Sequence, residues 1–384
     1  YSGWYSVRDE SFIADNEIID RGGKKFNSFG SELTWVEEES YFFRLSKWQD
    51  KLINFYDNNP NFVTPKSRYN EVRKFVESGL KDLSISRTTF KWGIKVPSND
   101  NHIIYVWLDA LTNYISALGF PDTANSNYIK YWPGIHVVGK DIIRFHAVFW
   151  PVFLMAAGLE TPKQVVAHGW WTNEGQKISK STGNVIDPNE LIDSYGLDEV
   201  RYFLFREVPF GNDGDFSRES IKNRINGELA NNFGNLIQRV LSFIVKNLNQ
   251  NIELTDKNLK FKTFLDIMEL EKSLNDHISE YRFDEYLKDI FLFLNNLNNY
   301  VDKKAPWALK KTDTAMMKEV LANICICIIR LTQYLHPFMP QKTIKILALF
   351  NLDESFKSFS KIEHVLSMKF LKINQPEPLF QKIE

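Results

Sequence analysis

The chain has 384 residues, of which 43% are hydrophobic and 25% charged, which is the balance of a globular protein of roughly two to three domains. Lysine plus arginine (47) nearly cancel aspartate plus glutamate (48), so the net charge of -1 argues against a generally basic nucleic-acid binder but permits a local basic patch. Two cysteines, Cys325 and Cys327, exclude a disulfide scaffold and a four-cysteine zinc site. We see no signal peptide and no apolar run of the ~18 residues that a membrane span needs, so we expect no membrane association and a reducing, cytoplasmic location.

Residues 1–85 have a mixed pattern. Apolar residues from Tyr41 to Phe55 recur every three or four positions and predict a helix that ends before Pro60. The same spacing from Tyr69 to Val76 predicts a second helix, closed by Gly79.

Between residues 86 and 170 short β-rich apolar runs alternate with helical segments. This alternation predicts a parallel α/β sheet with helical crossovers. Ligands bind such sheets at the carboxyl ends of their strands, so the residues after each run are the first candidates for chemistry. The predicted strands are Ile103–Trp107, Ile135–Val138 and Val165–Trp170.

The second half of the chain is predicted to be helical. Asp187-Pro188-Asn189-Glu190 has the capping residues of a helix start, and Gly196 closes that helix. Glycine is scarce after position 235 and no strand alternation is convincing there, so we expect a helical bundle joined to the α/β core. Its main helices are predicted at Ile221–Ile244, Phe283–Tyr300 and Met317–Leu335.

The sharpest chemical signal is a cationic loop, Lys177-Ile178-Ser179-Lys180-Ser181, flanked by Gly175 and Gly183. Two lysines three positions apart suit a polyphosphate. When the α-phosphorus of ATP is attacked, negative charge grows on the leaving pyrophosphate, and a lysine that meets that charge in the transition state lowers the barrier. The alternative is a solvated charged loop, since short motifs carry false positives.

Two further segments combine aromatic residues at helical spacing. Trp107, Ala110 and Tyr114 lie at i, i+3 and i+7 on one helix face, and Ile142 and His146 lie at i, i+4 on another. Together they could line an apolar, aromatic slot with one imidazole. The alternative is that the aromatic rings are ordinary core residues and the histidine is a satisfied core group.

Asp141 ends a predicted strand run shortly after Gly139, which allows close approach. A carboxylate at the carboxyl end of a strand suits a ribose hydroxyl or an ammonium group. It could also cap the helix that starts at Ile142, and both roles can hold together.

The helical half carries a pattern suited to RNA. Asn235 and Arg239 are i, i+4 and point the same way, and Pro306-Trp307 lies within a run that contains four lysines. Stacking on an aromatic ring combined with phosphate attraction is how proteins hold splayed single-stranded bases. The alternative is a helix start with Pro306 in the first turn and Trp307 packed inward.

The cationic loop resembles the KMSKS signature of class I aminoacyl-tRNA synthetases, with Ile178 in place of Met. The flanking Ser181–Pro188 and the later Arg206–Gly211 resemble the methionyl-tRNA synthetases, and the likeness extends over nearly the whole chain. It implies an α/β fold, the second half of a class I synthetase Rossmann-like nucleotide-binding fold, plus an all-α anticodon-binding helical bundle. The implied activity is ATP-dependent activation of L-methionine to methionyl-adenylate and transfer to the 3′ end of tRNA(Met).

The resemblance also implies roles for individual residues. Arg87 matches an arginine that the family needs for activity, although a structural salt bridge is its alternative. Magnesium would accompany ATP, and the tail ends as shorter family members end, which favours a monomer. The implied sites are catalytic Lys180, Lys177 and Arg87; ATP-binding Lys180, Lys177, Ser179, Gly139 and Asp141; methionine-binding Trp107, Ala110, Tyr114, Ile142 and His146; and anticodon-binding Asn235, Arg239, Pro306 and Trp307.

The expected domains follow the chain in order. They are the remainder of an inserted connective domain (1–85), the second half of the Rossmann catalytic domain (86–170), the KMSKS loop and stem-contact linker (171–220), the anticodon-binding helical domain (221–361) and a C-terminal tail (362–384).

Two expected motifs do not occur in the sequence. No His-x-Gly-His is present, and because the family places its HIGH tetrapeptide before the inserted domain, we expect that the first part of the protein is missing from a chain that begins at Tyr1. Ser6 and Asp9 stand where many members carry zinc-binding cysteines. A neutral serine cannot replace a thiolate at zinc, so we expect no structural zinc.

Two alternative functions stay open at this level. One is another class I synthetase, for valine, isoleucine, leucine or cysteine. The other is a non-catalytic tRNA-binding module.

Overall fold

The structure is a computed structural model that describes residues 2–8, 11–13, 15–28, 30–89, 91–178 and 183–384. The chain divides into two compact units, Tyr1–His168 (unit 1) and Gly169–Glu384 (unit 2), and each is described by itself. None of the helices within the described residues is both long and apolar enough to cross a membrane.

Unit 1 mixes short strands with helices. Single 3-10 turns occur at Asp15–Glu17, Leu45–Trp48 and Lys140–Ile142, and a π-helical segment spans Phe145–Phe149. Its strands are β1 Ser2–Ser6, β2 Ser11–Ile13, β3 Ile19–Arg21, β4 Lys24–Phe26, β5 Thr34–Glu37, β6 Phe42–Phe43, β7 Val63–Thr64, β8 Leu83–Ser84, β9 Ser86–Arg87, β10 Lys95–Val96, β11 Asn99–Ile104, β12 Ile135–Gly139 and β13 Gln164–His168. Its α-helices are α1 Gln49–Asn58, α2 Lys66–Glu77, α3 Val106–Ser116, α4 Ser126–Tyr131 and α5 Trp150–Ala156.

A three-stranded parallel sheet in the order β12-β13-β7 positions the first candidate site. Its central strand β13 buries Val165, Val166 and Ala167 completely, as a parallel strand covered on both faces should. The continuous helical stretch from Lys140 to Ala156 follows β12 directly, so residues just after Gly139 stand at the carboxyl end of that strand.

Two predictions for unit 1 are wrong in detail. The run Ile103–Trp107 is not a strand of the parallel sheet: β11 pairs antiparallel with β10 and β9, and Trp107 already lies in α3. The third parallel strand is instead β7, whose two residues are too few to give a periodic signal. The helix predicted from Tyr41 starts later, because Phe42–Phe43 pairs with β8 before the turn at Leu45–Trp48 leads into α1.

Unit 2 is mainly helical. Its strands are β14 Trp171–Asn173, β15 Gln176–Lys177, β16 Gly214–Phe216, β17 Asn251–Glu253 and β18 Phe370–Lys372, with 3-10 turns at Asp256–Lys260, Glu354–Lys357 and Phe359–Lys361 and a π-helical segment at Ile225–Gly234. Its α-helices are α6 Pro188–Tyr195, α7 Leu197–Arg206, α8 Arg218–Arg224, α9 Asn235–Asn247, α10 Lys262–Ser279, α11 Phe283–Lys304, α12 Pro306–Thr312, α13 Thr314–Leu335, α14 Pro340–Leu349 and α15 Ile362–Ser367.

The predicted helices of unit 2 are confirmed in type and position. Asp187 caps α6 by accepting a hydrogen bond from the Asn189 amide, and Gly196 ends that helix at φ 96°. The long helix runs without a break from Arg218 to Asn247 and includes the π-helical segment. Helix α13 is buried from Val320 to Leu335, which explains why apolar residues occur on all of its sides. Its buried polar side chains include Arg330 and Gln333, which are hydrogen-bonded to each other.

The part of unit 2 beyond residue 235 is not purely helical, contrary to expectation. Strands β17 and β18 pair antiparallel, so the tail contributes a strand to the bundle. The tail also buries Leu371, Ile373 and Phe380. Three-residue strands are too short to show alternation, and only the tertiary pairing defines them.

Candidate active site and nucleic-acid interface

A cluster of aromatic and imidazole rings in unit 1, here called the aromatic pocket, consists of Trp107, Tyr114, His136, Phe145 and His146. The Trp107 ring lies flat on Phe145, with centroids 3.8 Å apart and planes 8° apart. The same indole meets His146 edge-on at a centroid distance of 6.3 Å. Helix α3 therefore faces the helical stretch that follows β12, and two segments that the sequence linked only by residue type come together.

Hydrogen bonds fix the tautomer of His146. Its Nδ1 lies 2.9 Å from the carbonyl oxygen of Ile142, which can only accept, so Nδ1 carries the proton. The other ring nitrogen, Nε2, is then an acceptor for the Tyr114 hydroxyl at 2.9 Å. His146 is thus a neutral imidazole with both nitrogens satisfied, held in one orientation by residues from two helices.

Burial keeps both histidines of the aromatic pocket neutral. Burial lowers the pKa of His146, and the Ile142 carbonyl and the Asp141 charge oppose that shift. Burial lowers the pKa of His136 further, to about 4, and the neighbouring His146 acts in the same direction. The neutral His136 accepts a hydrogen bond from the Trp150 indole N–H at 3.2 Å, so this side of the pocket is also fixed.

The other residues predicted to bind methionine lie on the same two helical stretches. Ala110 is exposed on α3, one turn from Trp107, and Ile142 is half-buried while its carbonyl holds His146. Tyr114 keeps 36% of its surface exposed, so the pocket has an open side on this helix face.

The carboxyl end of β12 brings Gly139 and Asp141 together. Asp141 is exposed, and a Cβ added to Gly139 would lie 2.5 Å from its Oδ1 atom. A larger residue at position 139 would displace the carboxylate from this position. Strand pairing places Gly139 opposite His168 of β13, so the carboxylate lies at the edge of the sheet where ligands bind.

Arg87 lies in a buried ion pair. Its Nε atom is 3.5 Å from Glu38 Oε1, and both side chains are nearly inaccessible, at 6% and 3% exposure. The guanidinium also donates to Ser84 Oγ at 2.7 Å and lies 4.6 Å above the Tyr105 ring. These contacts agree with the alternative interpretation of Arg87 as part of a structural salt bridge. Its catalytic role stays a prediction.

The cationic loop begins in unit 2 as a tight hairpin. Strands β14 and β15 are joined by Glu174 and Gly175, both at positive φ (50° and 75°), which is the backbone of a type I′ turn. Asp215 accepts a hydrogen bond from the Thr172 hydroxyl and another from the Gly175 amide at 2.8 Å, and these bonds lower the pKa of its carboxyl.

Lys177 ends this hairpin and is exposed, with its ammonium 5.6 Å from the Trp170 ring centroid. Asn184 donates to the Lys177 carbonyl at 3.0 Å and so joins the two ends of the loop. The predicted catalytic Lys180 and the predicted ATP-binding Ser179 lie outside the described residues.

A second candidate site, the RNA patch, lies in the helical bundle and consists of Asn235, Arg239, Asp302, Pro306 and Trp307. The Arg239 guanidinium lies 5.4 Å above the Trp307 ring and donates to Asp302 at 2.8 Å. Trp307 is 41% exposed, so it is not packed inward as the alternative required. Pro306 is buried at the first position of α12, and the preceding Ala305 has φ 42°. Asn235 is exposed one turn before Arg239, but the cavity of about 210 Å³ that it lines is formed with Gln238 and the tail residue Phe380 and not with Arg239 or Trp307.

Two family models match the chain. The model described as tRNA synthetases class I (M) matches residues 24–241, and the model described as the anticodon-binding domain of tRNA ligase matches residues 266–374. The methionine–tRNA ligase of Rickettsia felis is 48% identical over 391 aligned residues, which cover all of this chain and 76% of that protein. The methionine–tRNA ligase of Brucella suis is 46% identical over 390 aligned residues, which cover all of this chain and 75% of that protein.

The chain belongs to the methionine–tRNA ligase family. Solved structures agree: Mycobacterium tuberculosis methionyl-tRNA synthetase bound by methionyl-adenylate is 42% identical, with a TM-score of 0.93 over 99% of this chain and 76% of that chain. The unliganded form of the same protein gives a TM-score of 0.92 at 40% identity. The predicted family and the predicted fold class are confirmed, and the chain is that of an aminoacyl-tRNA synthetase. Neither a valine-, isoleucine-, leucine- or cysteine-specific synthetase nor a non-catalytic module gains support.

Sequence reasoning missed two members of the aromatic pocket. Phe145 stacks on Trp107. It lies three positions after Ile142, so i, i+3 helical spacing was the available signal for it. His136 alternates with exposed Ile135 and Val137 on β12, so the strand period places it inward beside Tyr114, with ring centroids 4.1 Å apart. Its position in an alternating strand was the available signal.

Proposed function

We propose that the aromatic pocket binds the side chain of L-methionine. The observation that carries this is the fixed neutral His146 beside Trp107, held through Tyr114 and the Ile142 carbonyl. A methionine side chain is unbranched, and its polarisable sulfur favours the edges of aromatic rings. A neutral, fully hydrogen-bonded imidazole adds no charge that would favour a polar amino acid, while the half-buried indole supplies apolar contact.

We propose that the carboxylate at the end of β12 binds the polar part of the substrates. Asp141 is exposed and carries negative charge next to Gly139. It can accept from a ribose hydroxyl of ATP or from the ammonium group of methionine. Because the helical stretch that begins at Lys140 also supplies His146, one continuous element would hold both ends of the amino acid.

We propose a reaction in two steps. A carboxylate oxygen of methionine attacks the α-phosphorus of ATP, the bond from that phosphorus to the bridging oxygen breaks, and pyrophosphate leaves with both electrons. A ribose hydroxyl at the 3′ end of tRNA(Met) then attacks the carbonyl carbon of methionyl-adenylate and expels AMP. The enzyme mainly positions reactants and stabilises charge. Lys180, and less so Lys177, would offset the charge that grows on pyrophosphate.

We propose that Mg²⁺ accompanies ATP and offsets charge on its phosphates. Among the described residues no group of three or more His, Cys, Asp and Glu side chains could hold a metal ion, so we assign no protein ligand to it. We also propose that the chain binds no structural zinc, because Ser6 offers a neutral hydroxyl where many relatives have a thiolate.

We propose that the RNA patch binds the anticodon of tRNA(Met). Trp307 offers an exposed ring for base stacking, and Arg239 beside it offers a cation and hydrogen-bond donors. Lys303, Lys304 and Lys311 are exposed within four positions of Trp307 in the sequence and would attract the phosphates. We further propose a cytoplasmic monomer, and the two buried cysteine thiols, whose pKa burial raises, suit a reducing compartment.

The Lys180→Ala and Trp107→Ala variants of the full-length protein test the catalytic assignment. Adenylate formation is followed in the pre-steady state with ATP and methionine, and Lys272→Ala, an exposed lysine on α10, is the matched control. We expect Lys180→Ala to slow the step by ~10²-fold with little change in methionine affinity, because it acts on the transition state. Trp107→Ala should instead weaken methionine binding. An unchanged rate for Lys180→Ala removes Lys180 from the mechanism, and unchanged methionine binding for Trp107→Ala removes the pocket.

A further inference from the structure

Arg239 is held from three sides. Its Nη1 donates to Asp302 Oδ1 at 2.8 Å and its Nη2 donates to Asn298 Oδ1 at 3.3 Å, while the Cζ atom lies 5.4 Å above the Trp307 ring. About a third of its side chain stays exposed. The guanidinium is therefore oriented while part of it still faces solvent.

Asn298 is itself fixed by a chain of amide groups. Its Nδ2 donates to Asn232 Oδ1 at 2.7 Å and to the Leu294 carbonyl at 3.2 Å. Asn232 in turn donates from Nδ2 to Asn295 Oδ1 at 2.7 Å. Only one flip of each amide satisfies all of these bonds, because an arginine can only donate and a carbonyl can only accept. The chain joins α11 to the π-helical segment that precedes α9.

We propose that this amide chain, Asn298–Asn232–Asn295, orients Arg239 for RNA, so that Asn298 is a positioning residue for tRNA binding. The inference rests on the proposed function of the RNA patch. An arginine loses rotamer freedom when it is immobilised, and an arginine that is oriented before RNA arrives loses less of that freedom on binding.

The neutrality of Asn298 separates its effect from that of Asp302. The Asp302 carboxylate offsets the charge of Arg239 and is 59% exposed, and exposed ion pairs of this kind hold a side chain only weakly. Asn298 holds the same guanidinium through a neutral oxygen. The amide chain therefore fixes the direction of the guanidinium without reducing the charge that it offers to a phosphate or a base edge.

A double-mutant cycle in the full-length protein tests this role. The variants are Asn298→Ala, Arg239→Ala and their combination. Asn232→Ala, alone and combined with Arg239→Ala, tests a more distant member of the amide chain, whose hydrogen bonds go to Asn298 and Asn295. Asn299→Ala is the matched control, since Asn299 is exposed on the same helix and makes no side-chain hydrogen bond to the described part of the chain. The probe is a transcript of a tRNA with a CAU anticodon, and the readout is its dissociation constant together with the urea unfolding midpoint.

We expect Asn298→Ala to raise the dissociation constant about fivefold, and Asn232→Ala to raise it by a smaller factor. Both effects should shrink to less than about twofold in the Arg239→Ala background, because the amides act through that arginine. The urea unfolding midpoints of all variants should stay close to that of the parent protein. The dissociation constant of the Asn299→Ala variant should also match the parent value.

Three results would overturn the inference, and they differ in what else they overturn. An equal factor for Asn298→Ala in both backgrounds shows that it acts independently of Arg239. An unchanged dissociation constant for Asn298→Ala, while Arg239→Ala weakens binding, removes the positioning role but leaves the RNA patch standing. An unchanged dissociation constant for Arg239→Ala removes the proposed RNA site and the positioning role together.

Discussion

Acid should destabilise the aromatic pocket through His136. The ring is 5% exposed, accepts a hydrogen bond from the Trp150 indole, and lies against Tyr114 and Trp132, with centroid distances of 4.1 and 5.9 Å. Protonation of Nε2 would place a hydrogen against the indole N–H, and charge would enter a site from which water is excluded. Burial is the main reason that the pKa of His136 falls to about 4, and the neighbouring His146 acts in the same direction.

The size of the loss in stability follows from the pKa of His136 in the unfolded and in the folded protein. In the unfolded chain His136 titrates near 6.5, and in the folded protein near 4. Between these values the unfolded chain binds a proton that the folded protein does not bind, so the free energy of unfolding falls as the pH is lowered through this window. At 1.36 kcal/mol for each pH unit of separation, the loss from pH 7 to pH 4 is about 3 kcal/mol. The loss reverses on return to pH 7.

The His136→Gln variant isolates this effect. Glutamine can place its Oε1 atom near the position of Nε2 and accept from Trp150, but it does not titrate. Urea unfolding of the full-length protein, followed by tryptophan fluorescence from pH 7 to pH 4, compares the variant with the parent. We expect the difference between the two free energies of unfolding to change by about 3 kcal/mol over this range, in favour of the variant at low pH. Parallel curves for the two proteins would show that His136 does not carry the penalty and would refute the reasoning.

Three other substitutions have effects that the structure specifies. Trp307→Ala should raise the dissociation constant for tRNA roughly tenfold, because a stacked base contributes ~1–3 kcal/mol. Trp307→Phe should keep most of the affinity. Equal binding by the parent protein and both variants would contradict stacking. Tyr114→Phe removes the hydrogen-bond donor to His146 and should raise the KM for methionine roughly fivefold in pyrophosphate exchange, with kcat little changed. A fall in kcat with an unchanged KM would contradict a role in methionine binding. Arg87→Met leaves the Glu38 carboxylate buried without a counter-charge and should lower the free energy of unfolding by about 3–5 kcal/mol. The Arg87→Met/Glu38→Leu double variant should recover stability. An Arg87→Met variant as stable as the parent protein would speak against the buried pair.

Local patterns in the sequence determined much of the site. Trp107 and Tyr114 share a helix face, and Ile142 and His146 are one turn apart, so residue spacing alone put them on two faces that could form one slot. The helix cap at Asp187 and the adjacency of Asn235 and Arg239 are local in the same sense. Such features depend on residues within about two helical turns of one another, and that spacing can be read from the sequence.

Contacts between distant residues decided the rest. No local pattern indicates that Glu38 would neutralise Arg87, that Val63–Thr64 would supply the third parallel strand, or that Phe370–Lys372 would pair with Asn251–Glu253. The same is true of the partners of Arg239, which lie 59 and 63 positions away. The burial that lowers the pKa of His136 is likewise a property of the packed unit and not of its strand. Periodicity specifies which face of an element is apolar, but which faces meet depends on packing among elements far apart in the chain.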